Sequence, residues 1–176
     1  MRLQFLGGLP DLLEQCLYFL IIIAALGVVS FVIGESIPRK WYHYDAFPFT
    51  PFAWEKNGQI YEKIGIRKWK DRVPDISKLV WFVVGKRVNG LHDVNNMRRL
   101  IQETCSGEMV HIGLALVSPA FMILMPGGYG AVAMALYAVA NILFAAIQRY
   151  NRPRLAHMLN RLIAKQDKNK GDTPCR

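Results

Sequence analysis

The chain has 176 residues, room for one domain of ordinary size, and 52% of them are apolar, with a net charge of +9. That apolar share exceeds what a soluble domain carries, which excludes an ordinary water-soluble core as the organising principle. A pI near 9.7 raises nucleic acid as a partner, but no helix-turn-helix, zinc-ligand or RNP-type pattern accompanies the charge, so no nucleic-acid partner is expected. Bases flanking apolar stretches read instead as anchors to anionic lipid headgroups.

From Gln15 to Gly34 there are 20 residues without a charge, the length needed to cross a hydrocarbon core of roughly 30 Å. The residues ahead of this stretch include Asp11 and Glu14 with only Arg2 basic, and no small-x-small cleavage site ends it, so it is expected to be a retained span (15–34) and not a signal peptide.

Residues 35–105 are long for a loop and aromatic for a disordered one. "PRKWYHYDAFPFTPFAWEKNG" sets Trp41, Tyr42, Tyr44, Phe47, Phe49, Phe52 and Trp54 among prolines and bases, as headgroup-level segments do, which predicts that this stretch lies on the membrane. "WEKNGQIYEKIGIRKWKDRV" follows with Trp54, Ile60, Ile64 and Trp69 at loosely helical spacing, predicting an interfacial amphipathic helix whose weak points are Gly58 and Gly65. "LVWFVVG", Leu79–Gly85, is too short to span and suits a dipping or packing segment. "NNMRRLIQETCSGEMVH" predicts an approach helix capped by Asn95 or Asn96, striped by Met97, Leu100 and Ile101, and running into the next span.

A second uncharged stretch, Met109 to Gln148, is interrupted only by His111. "MPGGYG", Met125–Gly130, is its turn, leaving arms 109–125 and 131–147 of 17 residues each, the short end of the spanning range. The stretch therefore either crosses twice or forms a re-entrant hairpin. Beyond it the tail, 149–176, carries Leu155, Met158, Leu159, Leu162 and Ile163 at helical spacing, predicting an amphipathic helix along the cytoplasmic surface, with Pro153 ending the span before it. The segment 35–105 has thirteen bases against eight acids and the tail eight against two, so both are expected on the cytoplasmic side and the N-terminus outside. The fold expected is a single all-α integral membrane domain with about three transmembrane helices plus interfacial segments.

Chemistry concentrates in "ETCSGEMVHI" and "QRYNRPRL". On a helix, positions three apart share a face, so Glu108 and His111 can meet; Thr104 lies a turn earlier and Glu103 points elsewhere. Ionisable groups at the edge of a span are costly and mark sites, although a headgroup-level acid with a structural histidine is the plainer explanation. A neutral imidazole can take a proton from an attacking hydroxyl, and a carboxylate beside it fixes its tautomer. Glu-x-x-His also occurs in carboxylate-bridged di-metal bundles, but those need a second copy and further glutamates, so no metal is expected. Cys105, like Cys16 and Cys175 part of neither a disulfide framework nor a CxxC site, reads as incidental more readily than as an acyl-accepting nucleophile. Arg149, Arg152 and Arg154 around Tyr150 and Asn151 either anchor a helix end or hold phosphate with their forked guanidinium groups.

"SIPRKWY", "GIRKWKDRVPD", "ETCSGEMVHI" and "IQRYNRPRL", in this order around apolar segments from about Ile37 to Leu155, resemble the glycosyl-4,4'-diaponeurosporenoate acyltransferase family of bacterial carotenoid synthesis. The resemblance implies a bacterial membrane O-acyltransferase that esterifies a sugar hydroxyl of a carotenoid glycoside, the last step toward a staphyloxanthin-type pigment. Arg67, Lys68, Trp69, Glu103, Glu108, His111, Gln148, Arg149, Tyr150, Asn151, Arg152 and Arg154 match the family pattern, and Ile112 stands where that pattern carries tryptophan. The expected partners are membrane lipids, the glycoside acceptor and an acyl donor (acyl-CoA, an acyl carrier protein or a phospholipid), with no further cofactor. His111 oriented by Glu108 would be the catalytic base. Arg149, Tyr150, Asn151, Arg152 and Arg154, with Arg67, Lys68, Trp69 and Glu103, would bind substrate. The alternatives are a non-enzymatic membrane scaffold and an intramembrane hydrolase acting through Glu108 and His111.

Overall fold

The computed structural model describes residues 11–70 and 93–171, with side chains to residue 168. Among these residues every regular element is helical. The segment Leu79–Gly85 and the end of the tail lie outside them.

Helix α1, Asp11–Ser36, extends the expected span by a few residues at each end. It is followed by a 3-10 turn at Arg39–Trp41, a second at Ala53–Gly58, and two single-turn helices, α2 at Ile60–Lys63 and α3 at Ile66–Trp69. The one interfacial helix expected here is thus broken, and it breaks at the two glycines: Gly58 has φ +87° and Gly65 φ +68°. Left-handed backbone at these points turns the short helices so that Tyr61 and Ile66 face inward, where they pack with Tyr150.

Helix α4 runs from Val94 to Val117 without interruption, joining the approach segment to the apolar stretch. Its start is fixed by Asp93, whose Oδ1 accepts the N–H of Asn95 at 3.2 Å, in place of the expected Asn95 or Asn96 cap: the helix begins at Val94, which leaves those asparagines inside the first turn. Past a 3-10 turn at Ser118–Ala120, set by Pro119, comes the short α5, Phe121–Leu124. The chain reverses at Met125–Gly127, inside the expected "MPGGYG" turn, and enters α6, Gly128–Gly171.

Helix α6 is 44 residues long and contains Pro153, so the tail continues the third apolar helix and is not a separate element. Pro153 loosens the turn before it, and the carbonyl of Tyr150 in that turn receives Arg154 Nη1 at 2.6 Å. The stripe expected to lie on lipid also turns inward: Leu159 is buried with Met97 and Ile101, and Leu155, Leu162 and Ile163 pack around them. Three helical stretches, Asp11–Ser36, Val94–Leu124 and Gly128–Lys168, are long and apolar enough to cross a membrane.

The chain divides into two compact units. One comprises Met1–Pro38 and Met109–Phe144. Its core is Phe121, Met125 and Ala133, packed by Tyr18, Phe19, Ile22 and Tyr137. The rings of Phe19 and Tyr137 meet Phe121 at centroid distances of 5.4 and 5.2 Å. The other comprises Arg39–Glu108 and Ala145–Arg176. Its aromatic segment splits in two: Tyr42 and Phe49 are buried edge to face, whereas Trp41, Phe47 and Trp54 are exposed.

Candidate active site

Four ionised side chains meet inside the second unit. Helix α4 supplies Glu108, the 3-10 turn before α2 supplies Glu55, and α6 supplies Arg149 and Arg152. Glu108 Oε1 accepts from Arg149 Nη1 and its Oε2 from Arg152 Nη2, each at 2.5 Å. Glu55 takes Arg149 in a two-pronged grip, Nε at 2.6 Å and Nη2 at 2.8 Å, the fork geometry that suits guanidinium to carboxylate. The carbonyls of Pro48 and Thr50 complete Arg149 at 3.1 Å each, so all five of its N–H groups are spent. Arg152 donates to Thr104 Oγ1 and the Thr104 carbonyl at 3.0 Å and to the Phe49 carbonyl at 2.8 Å. Phe52 lies under Arg149, 4.4 Å from ring centroid to guanidinium carbon.

Two carboxylates thus balance two guanidinium groups, with every side chain in the set at or below 10% exposure. Burial pushes the Glu55 carboxyl up, but hydrogen bonds from Arg149, from the Tyr61 hydroxyl and from the Phe52 N–H outweigh it, and its pKa is lowered. Tyr61 is moved the other way: burial first, then its bond to Glu55 and that carboxylate's charge, hold its proton on. Arg149 and Arg152 were expected to hold a substrate phosphate; both are occupied by internal acceptors. Arg149 has no donor left for a ligand, and Arg152 spends four of its five N–H groups internally.

Arg67 and Arg154 stand apart from that set. Both donate through Nη2 to one oxygen, Glu62 Oε1, at 2.8 and 2.6 Å. Arg67 Nε bonds the Tyr150 hydroxyl at 3.0 Å and Arg154 lies over the Tyr150 ring. Trp69 packs against the Tyr61, Ile66 and Tyr150 cluster and donates to the Ile64 carbonyl. Lys68 is exposed, Asn151 is half-buried, and Glu103 pairs on another face with Arg39 at 3.0 Å. Cys105 is fully buried, so its thiol lacks the access an acyl-accepting nucleophile needs.

In the first unit, His111 Nδ1 lies 3.0 Å from Asn141 Oδ1 and its ring stacks on Phe144 at 4.9 Å. Asn141 Nδ2 donates to the Tyr137 carbonyl at 2.9 Å. Its Oδ1 is therefore the acceptor in this pair, and His111 Nδ1 is assigned as the donor. The tautomer that Glu108 was expected to fix is fixed by a carboxamide, because both oxygens of Glu108 serve the arginines.

Sequence reasoning overlooked Glu55, Tyr61 and Asn141. Asn141 carried a readable signal, a lone carboxamide amid the uncharged arm "AVANILFAA", where a polar group needs a partner. Glu55 carried none, since its arginine is 94 residues away in sequence.

No solved structure matches the chain. Curated relatives from Staphylococcus aureus do. The protein of strain MRSA252 is 30% identical over 131 residues, 72% of this chain and 77% of its own length. That of strain Newman is 29% identical over 141 residues, 78% and 83% respectively. Both are named glycosyl-4,4'-diaponeurosporenoate acyltransferase. The matching family model covers residues 38–161, a stretch that contains Glu55, Glu62, Arg67, Glu108, His111, Asn141 and all three arginines of "QRYNRPRL". With the polar framework and the histidine both inside it, the chain belongs to the glycosyl-4,4'-diaponeurosporenoate acyltransferase family.

Proposed function

We propose that the protein moves a fatty acyl group from a donor onto a hydroxyl of a lipid-linked sugar, with a glycosylated carotenoid as acceptor. Family membership and three helices long enough to cross a bilayer support this reading. The observation that carries the chemistry is the His111–Asn141 pair, which orients the imidazole of a half-buried histidine on an apolar helix. In the step proposed, His111 Nε2 takes the proton of the sugar hydroxyl as that oxygen attacks the acyl carbonyl. The new ester C–O bond forms, the bond to the donor's leaving group breaks, and the imidazolium returns its proton to that leaving group. Asn141 is a positioning residue, Glu108 a member of the arginine framework. The donor is an acyl-CoA, an acyl carrier protein or a phospholipid. The excess of bases in residues 35–105 and in the tail supports a cytoplasmic location for both, with the N-terminus outside.

The test is His111→Ala in purified, membrane-reconstituted protein given a glycosyl carotenoid and each donor in turn, with the acylated product read by mass spectrometry. A general base contributes about a hundredfold or more, so product formation should fall by that factor while the melting temperature holds. Retained activity removes His111 from the mechanism. Free fatty acid released without any glycoside would identify a hydrolase instead.

A further inference from the structure

Arg67, Arg154, Glu62 and Tyr150 form a second charged group whose balance differs from that of the buried four. Two guanidinium groups share a single carboxylate oxygen, leaving one positive charge uncompensated. The side chains are accessible, Arg67 at 67% and Arg154 and Glu62 each at 36% exposure, and Lys63 and Lys68 on α2 and α3 are exposed as well.

The pair is also held in place. Tyr150 is buried, offers its hydroxyl to Arg67 Nε at 3.0 Å, and carries the Arg154 guanidinium carbon 3.6 Å from its ring centroid. Its carbonyl takes Arg154 Nη1. Gly58, at φ +87°, lies against the same group, and a Cβ there would sit 3.3 Å from Arg154 Nη1 and strain the backbone. Surface arginines ordinarily pay rotamer entropy on binding a ligand; these two have been ordered in advance by the fold. Among the described residues, Arg67 Nη1, Arg154 Nε and one N–H of each Nη2 have no acceptor.

We propose that the Arg67–Arg154 pair, seated on Tyr150, binds a phosphate ester, the phosphate carried by the acyl donor. The assignment rests on the acyltransferase reading only for the word donor; the anion seat follows from the geometry alone. Glu62 acts as a placeholder whose negative charge moderates affinity and keeps the two cations together when the seat is empty.

The experiment uses the full chain in maltoside micelles, which contain no phosphate. Coenzyme A represents a soluble donor and dihexanoyl phosphatidylglycerol a lipid donor; each is titrated calorimetrically. One probe should bind, and which one does so separates the two sources. Loss of a charge-assisted fork in Arg67→Ala or Arg154→Ala should weaken it about tenfold or more, and Arg67→Lys should recover only part of the loss. Glu62→Gln should tighten it by a similar factor. A merely structural salt bridge predicts the opposite for Glu62→Gln, a less stable protein with no gain in affinity.

Unchanged affinity in Arg67→Lys together with no tightening in Glu62→Gln overturns the proposal, and so does failure of both probes to bind. Acyl transfer that persists in Arg67→Ala with an unaltered donor KM also removes the seat, while leaving the reaction intact. Binding of a probe at the pair in a protein that acylates no glycoside supports the seat and discards the reaction.

Discussion

The two units of this chain are held by different physics. In the unit of Met1–Pro38 and Met109–Phe144, the core is Phe121, Met125 and Ala133 among aromatic and aliphatic neighbours, and large apolar side chains such as Leu116 and Ile123 remain exposed. In lipid, burying such groups against one another gains no transfer free energy, so close packing must hold the helices together. In the unit of Arg39–Glu108 and Ala145–Arg176, the interior contains Glu55, Glu108, Arg149 and Arg152, each tied to the others or to backbone carbonyls. Packing tolerates small adjustments; a closed set of charges does not, since removing any member strands another. The difference teaches that polar residues beside apolar helices can be architecture, and that their chemical role has to be judged from which donors remain unspent.

The sharpest way to break this contrast is Glu108→Ala, which leaves Arg149 and Arg152 facing each other without their shared counter-charge. Stability should fall by about 3–5 kcal/mol, read as a lower melting temperature in detergent. If it does not, charge does not hold the second unit. Gly130→Ala probes the packed unit: the added Cβ would lie 2.7 Å from the Phe121 carbonyl oxygen and 2.9 Å from that of Met125. Backbone must shift to admit it, at a cost of about 1–3 kcal/mol, and the loss should be independent of pH.

Sequence alone revealed the helical class, the three apolar stretches and the reversal at "MPGGYG", because a run without charges and a Pro-Gly cluster are local signals. It also singled out Glu108, His111 and the arginines. What it could not apportion was their partners. Glu55 looks like one more acid on a solvated helix, and only folding brings Arg149 onto it from 94 residues away. Likewise the stripe through Leu155 and Leu159 has the spacing of a surface-bound helix, yet Met97 and Ile101 cover it; periodicity reports that a face is apolar, not what buries it.

A titration sharpens the comparison from the other side. The lowered carboxyl of Glu55 contributes stability that is whole above the ordinary value of 4.5 and is lost as pH falls through its lower folded value. Tyr61, raised, contributes stability that is whole below 10.0 and is lost as pH rises through its higher folded value. The contribution of these two groups should therefore be constant between those limits and fall on both sides, with Glu55→Gln shrinking the acid limb of the melting-temperature profile and Tyr61→Phe the alkaline one. The smallest effect is expected from Glu103→Gln. Its pair with Arg39 is part exposed, and such pairs are worth about 0–1 kcal/mol.

Arg149 has no spare donor, and that alters how any mutational survey of the protein must be interpreted. A screen that scores only acylated product would rank Arg149 beside His111 under the proposed mechanism, although loss of the first would dissolve the scaffold and loss of the second would silence a proton transfer. Lysine at 149, with three donors for five acceptors, would behave as a lesion of the same kind. Abundance measured alongside acylated product separates rivets from reagents.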